Sequence, residues 1–154
     1  MKKPKKSLGQ NFLIDKNIIK KILSLTSIKD KNVIEIGPGT GNLTYEILKL
    51  YPKSLLCVEK DKKLSERLKL SLKNANNITI KNRDILSLDL KNFIKKDTIV
   101  LGNLPYNIST QIFAKFIKLK KWPPSFSKII FMFQKEVADR ILAKPNTKDF
   151  SRIT

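Results

Sequence analysis

The sequence predicts an α/β domain built on a mostly parallel sheet with helices on both faces. Three observations carry this. From Asn32 onward, short apolar runs alternate with segments of helical period. The runs are apolar at consecutive positions, as strands covered on both faces must be. The first run, Val33-Ile34-Glu35-Ile36, leads directly into Gly37-Pro38-Gly39-Thr40-Gly41 and then into a helical segment. Alternation of this kind implies parallel strands joined by right-handed crossovers. Ligands of such sheets lie outside the carboxyl ends of the strands.

Taken in order, residues 1–6 form a basic tail, read either as a solubilising arm or as an arm that touches phosphates. Asp15 is an N-cap for a helix through about Thr26, with Ile18, Ile19, Ile22 and Leu23 on one face. Strands are predicted at Val33–Ile36, Ser54–Glu59, Ile78–Asn82, Thr98–Leu101 and Lys128–Phe133. Helices are predicted at Asn42–Leu50, Lys62–Leu72 (capped by Asp61), a short Leu88–Ile94, Ser109–Lys120 and Lys135–Leu142. Residues 1–154 form one domain. The last stretch, Lys144–Thr154, carries turn formers and no closing element, so a fragment of a longer protein is expected.

Composition narrows the function. Lys and Arg number 32 against 13 Asp and Glu, a net charge of +19. That excess favours a polyanionic partner, above all nucleic acid, over a merely lysine-rich surface. Cys57 is the single cysteine and sits in an apolar run, which excludes a disulfide framework and a thiolate cluster. Histidine is absent, which removes the commonest general base and metal ligand, and no metal is expected. No apolar run approaches the roughly 18–20 residues of a membrane span. The N-terminus lacks the apolar stretch of a secretory signal. A reduced, cytoplasmic setting is expected.

Each strand end supplies something polar. Gly37, Gly39 and Gly41 let the backbone turn sharply and approach a ligand, with helix N–H groups behind them: half of a nucleotide-type site. Read alone, they form an ordinary tight turn. Glu59 ends the second strand, 18 residues beyond Gly41, where a carboxylate typically accepts from ribose hydroxyls. Its alternative is a surface Glu in a charged run. Asp84, after the third strand, is read as an acceptor for an exocyclic adenine amine or as a helix cap. After the fourth strand comes Asn103-Leu104-Pro105-Tyr106-Asn107-Ile108-Ser109. Pro105 stiffens this loop and biases Leu104 away from helix. The Asn103 amide oxygen, the Leu104 carbonyl and the Tyr106 ring together suit a planar amine. The plain alternative is a β-turn with Ser109 as a cap.

This set resembles the S-adenosylmethionine-dependent methyltransferases that act on nucleobase amines. More narrowly it is similar to the small-subunit (16S) ribosomal RNA adenine N6-dimethyltransferases of the KsgA type. The match rests on Gly9-Gln10-Asn11-Phe12-Leu13, the Glu35–Thr44 stretch, Glu59, Asp84, Asn103–Ser109 and Phe133-Gln134-Lys135-Glu136-Val137-Ala138, in family order from residue 7 to about 140. The resemblance implies a Rossmann-like class I methyltransferase fold whose C-terminal strands and helical domain are missing here. It implies S-adenosyl-L-methionine as cofactor, contacted by Asn11 and Leu13 from a segment (residues 1–13) that covers the pocket, and by Gly37, Gly39, Gly41, Glu59, Asp84 and Asn103. It implies catalysis by Asn103, Leu104, Pro105 and Tyr106, and dimethylation of adjacent adenosines near the 3′ end of small-subunit rRNA during ribosome biogenesis. The partner is then that RNA or a pre-30S particle, met by a monomer. Lys115, Lys118, Lys120 and Lys121, beside Phe116 and Trp122, are candidate phosphate contacts. The related Erm family, acting on large-subunit (23S) rRNA, shares the layout. A non-catalytic RNA-binding or assembly module is the third reading.

Overall fold

The computed structural model describes residues 12–118 and 125–151. The chain runs α1 (Lys16–Ser24), β1 (Asn32–Ile36), α2 (Asn42–Leu48), β2 (Ser54–Glu59), α3 (Lys62–Ser71), β3 (Ile78–Asn82), β4 (Thr98–Asn103), α4 (Ser109–Ile117), β5 (Phe126–Met132) and α5 (Lys135–Ile141). The strands make one sheet in the order β3-β2-β1-β4-β5, and all four pairings are parallel. The order reverses at β1, so the helices that follow β1 and β4 pack on opposite faces and leave a crevice above the two strand ends, the usual place for a ligand in such sheets.

The sequence pattern explains each layer. Residues of β1 alternate between faces. Val33 joins Ile19, Ile22, Ile28, Leu43, Ile47, Leu55 and Leu101 under α1 and α2. Ile34 and Ile36 join Leu56, Val58, Val100, Leu104, Ile112 and Phe116 under α4. Because both faces are covered, the strands read as continuous apolar runs. Asp15 caps α1, accepting from the N–H groups of Asn17 (2.8 Å) and Ile18 (3.3 Å). Asp61 caps α3 through the Leu64 N–H at 3.2 Å. Each cap is worth about 1 kcal/mol.

One predicted element is absent. Residues 88–94 form turns, not a helix. Asp89 accepts the Lys91 N–H at 3.1 Å, and the N–H groups of Phe93 and Ile94 both go to the Leu90 carbonyl. A single turn suffices to press Leu88, Leu90, Phe93 and Ile94 onto the second face. Apolar burial, not helical periodicity, therefore accounts for the pattern seen there. Smaller differences fall at ends. β4 extends two residues beyond Leu101, which puts Asn103 on the strand itself, paired in register with Met132. β5 begins at Phe126, two residues early, across an irregularity in register between Thr98 and Ile99. The predicted α4 tail, residues 119–120, lies outside the described residues.

Candidate active site

The turn after β1 is held by its own backbone. The Gly37 N–H donates to the Val58 carbonyl at 2.9 Å, and the Gly41 N–H to the Pro38 carbonyl at 2.8 Å. Gly41 sits at φ +87° as the N-cap of α2. A Cβ there would lie 2.7 Å from Leu68 Cδ1 and 3.1 Å from the Tyr45 ring, so neither the backbone angle nor the space admits a side chain. Gly39, at φ +58°, is packed under Phe12, 3.0 Å from where a Cβ would be. Asn42, opening α2, donates through Nδ2 to the Leu13 carbonyl at 2.9 Å, which ties the N-terminal segment to the turn.

Glu59 is the hub of this edge. It is 6 % exposed. Its Oε2 accepts the Gly39 N–H at 3.0 Å and its Oε1 the Asp61 N–H at 2.8 Å. Burial raises its pKa, against the pull of those two N–H groups. Each oxygen keeps a second lone pair, enough to accept a hydroxyl. The surface-Glu alternative is overturned: the strand end carries Glu59 inward. β3 is fastened alongside. The Arg83 N–H and Asn82 Nδ2 both donate to the Glu59 carbonyl, at 3.1 and 2.9 Å. Asp84 follows, accepting the Leu86 N–H at 2.9 Å and pairing with Lys60 Nζ at 2.8 Å. Lys60, and then the Leu86 N–H, lower its pKa. Asp84 thus caps a turn rather than a helix, and still presents a carboxylate just past the end of β3, against Lys60.

Beneath the turn lies a polar contact with no counterpart in the sequence reading. Glu35 is 2 % exposed. Its Oε2 accepts from Thr44 Oγ1 at 2.7 Å and from Cys57 Sγ at 3.5 Å. Burial raises its pKa to about 7. Glu35 therefore pins the first turn of α2 to the sheet.

The β4 loop closes the other side. Gly102 pairs with Ile36. A Cβ on Gly37 would point to within 3.9 Å of the Asn103 carbonyl oxygen, so the glycine turn and the end of β4 face each other. Leu104 is buried, and Tyr106 is 39 % exposed. The Ile108 N–H returns to the Pro105 carbonyl at 3.2 Å. Ser109 does not cap α4: Ile108 is the N-cap, and Ser109 Oγ donates to the Tyr106 carbonyl at 3.3 Å.

Gly37, Gly39, Gly41, Glu59, Asp84 and Asn103 through Tyr106 thus share the carboxyl edge of the sheet. Leu13 is linked to it through Asn42, whereas Asn11 lies outside the described residues. So do Lys120, Lys121 and Trp122, while Lys115 donates to the Leu86 carbonyl at 2.8 Å. Sequence reasoning passed over Lys60, Asn82 and Glu35. Lys60 could have been noticed as a cation between two acids, and Asn82 as the polar end of a strand in register with Glu59. A cavity of about 370 Å³ lies on the α2/α3 side of the turn, lined by Phe12, Thr40, Tyr45 and Arg67, and does not reach Glu59, Asp84 or Asn103. Among the described residues no helix is long and apolar enough to cross a membrane.

The family model described as ribosomal RNA adenine dimethylase matches residues 1–154. The chain belongs to that family. A ribosomal RNA small subunit methyltransferase A from Pelagibacter ubique is 49 % identical over 152 residues, covering 99 % of this chain and 57 % of the relative. One from Wolbachia pipientis is 46 % identical over 154 residues. The chain therefore spans a little over half the length of these relatives. A dimethyladenosine transferase from Plasmodium falciparum superposes with a TM-score of 0.79 at 31 % identity, covering 94 % of this chain and 50 % of that one. The 23S rRNA methyltransferase ErmE superposes at 0.73 with 26 % identity, covering 94 % and 54 %. The Rossmann-like methyltransferase fold expected of a dimethylase is the one observed.

Proposed function

We propose that this chain is the cofactor-binding and catalytic part of an S-adenosylmethionine-dependent enzyme that dimethylates the N6 amines of adjacent adenosines near the 3′ end of 16S rRNA, during small-subunit biogenesis in the cytoplasm. The observation that carries the reading is the meeting of two strand ends. The Gly37 turn, secured to Glu59 through Gly39, lies directly against Asn103 of the amine-acceptor loop.

The donor set fits the cofactor. Glu59 offers lone pairs for two ribose hydroxyls, Asp84 an acceptor for the adenine amine, and the positive-φ glycines a side-chain-free wall for the methionine portion. The resemblance assigns Asn11 and Leu13 to a segment that covers it. When bound, the cofactor supplies an electrophilic methyl group. The target amine is conjugated into its ring and is a weak nucleophile. Asn103 and the Leu104 carbonyl accept its N–H groups, favour a pyramidal nitrogen and orient its lone pair. Pro105 holds these acceptors at a fixed spacing. The base leaves its stack at a cost of roughly a few kcal/mol. The Tyr106 ring offsets part of that, at about 1–3 kcal/mol per stacked base. The RNA is held through its phosphates by the lysine-rich surface.

The test is calorimetric titration of S-adenosylmethionine into residues 1–154, with Glu59→Ala as control, followed by methyl transfer to unmethylated small subunits and to naked large-subunit RNA. Binding that the substitution removes, with transfer to small subunits, is expected. Transfer to the large-subunit RNA instead would favour the Erm-like reading that the ErmE likeness supports. RNA binding without transfer would favour a non-catalytic module.

A further inference from the structure

Asp84 does not stand alone at the purine end of the site. One of its oxygens, Oδ1, is committed to the Leu86 N–H, which fixes the carboxyl on its turn. The other, Oδ2, is drawn toward β2 by Lys60 Nζ at 2.8 Å. Lys60 is itself held at its backbone: its carbonyl accepts from Asn82 Nδ2 at 3.1 Å, and the same amide binds the Glu59 carbonyl. Lys60 is therefore anchored at the β2–β3 junction and reaches over to the Asp84 turn. Lys115, from α4, is the second cation near that carboxylate. An ionised carboxylate accepts hydrogen bonds only. It suits a purine that donates at its 6 position and repels one that presents a carbonyl there.

We propose that Lys60 is a positioning residue that, opposite the Leu86 N–H, holds the Asp84 carboxylate turned toward the cofactor's purine, and so sets the preference for a 6-amino group. This rests on the cofactor reading of Asp84 given above. The pair is partly exposed, with side-chain accessibilities of 55 % for Lys60 and 30 % for Asp84, so its influence is modest and weakened by salt.

The test uses two uncharged-overall probes, S-adenosylhomocysteine and its analogue lacking the 6-amino group, titrated into the chain and its variants. The measured quantity is the ratio of their affinities. The ratio is expected to fall three- to fivefold in Lys60→Met and to recover in Lys60→Arg. It should fall in the wild type as sodium chloride is raised. In an Asp84→Ala background, Lys60→Met should leave it unchanged. Equal weakening of both probes by Lys60→Met would make Lys60 merely structural and overturn the proposal. If Asp84→Ala itself left the preference intact, the assignment of Asp84 to the purine would fall first, and the role of Lys60 with it.

Discussion

The two sides of the site are built in different ways. At the ends of β1, β2 and β3, charged and amide side chains tie backbone to backbone. Glu59 links Gly39 to Asp61, and Asn82 links β3 to the carbonyls of Glu59 and Lys60. Below them Glu35 clamps Thr44. After β4 the anchoring is apolar. Leu104 is sunk among Ile36, Val100 and Ile112, and the loop turns back on itself through Pro105 and Ser109 while Tyr106 stays exposed. Buried polar ties rigidify and fix one geometry. An apolar anchor with an exposed ring leaves room for a large partner to arrive and leave. The contrast suits the proposed division of labour, a small cofactor on one side and an RNA base on the other.

The comparison can be broken most sharply at Asn103. Asn103→Ala should cut methyl transfer by at least a hundredfold, about 3 kcal/mol in the barrier, as loss of one transition-state acceptor does elsewhere. Calorimetry should find cofactor affinity within a few-fold of wild type; equal losses would erase the division between the two sides.

Glu35 comes next. Its folded pKa, about 7, lies above the ordinary 4.5. The folded state therefore holds a proton that the unfolded state releases between those values. Stability from this group is fully present below pH 4.5 and is lost as pH rises to about 7, by up to about 1.4 kcal/mol per unit. Glu35→Gln keeps an acceptor for Thr44 without the charge. Thermal melts from pH 4.5 to 8 should show a flatter profile for the variant. A parallel profile would mean Glu35 is not the titrating group.

Glu59→Ala should weaken cofactor binding by about 2 kcal/mol, since bonds to a charged acceptor are lost and the Gly39 N–H is left without one. The effect of this change on transfer should be confined to subsaturating cofactor. At the open side, Tyr106→Ala should reduce transfer by about 1 kcal/mol and Tyr106→Phe by almost none, because the ring is wanted and not the hydroxyl. A Phe variant as poor as Ala would point to the hydroxyl instead.

The strands and the glycine turn were legible because their signals are local: consecutive apolar residues, glycines that no other residue can replace, and a carboxylate at a fixed distance along the chain. Leu88–Ile94 misled for the converse reason. An apolar stripe reports burial, and a connection folded into turns buries one as well as a helix does. The roles of Lys60 and Asn82 depend on β2 and β3 being neighbours in a particular register, and no local pattern carries that. Glu35 was quoted only as part of the glycine motif. That its side chain is a clamp follows from α2 lying over β1, which brings Thr44 to the carboxyl group, and from β2 pairing with β1, which brings Cys57 to it.

Cys57 has one more consequence. It is the only thiol in 154 residues, lies fully buried at the middle of β2, and has its pKa pushed up by that burial. The thiolate is the nucleophile toward thiol reagents, so Cys57 can react only when the central strands part and expose it. The chain thus carries a built-in clock. With dye in sufficient excess, the rate at which a disulfide dye labels it reads how often the sheet opens, and slowing of that rate by a ligand reports occupancy with no engineered label.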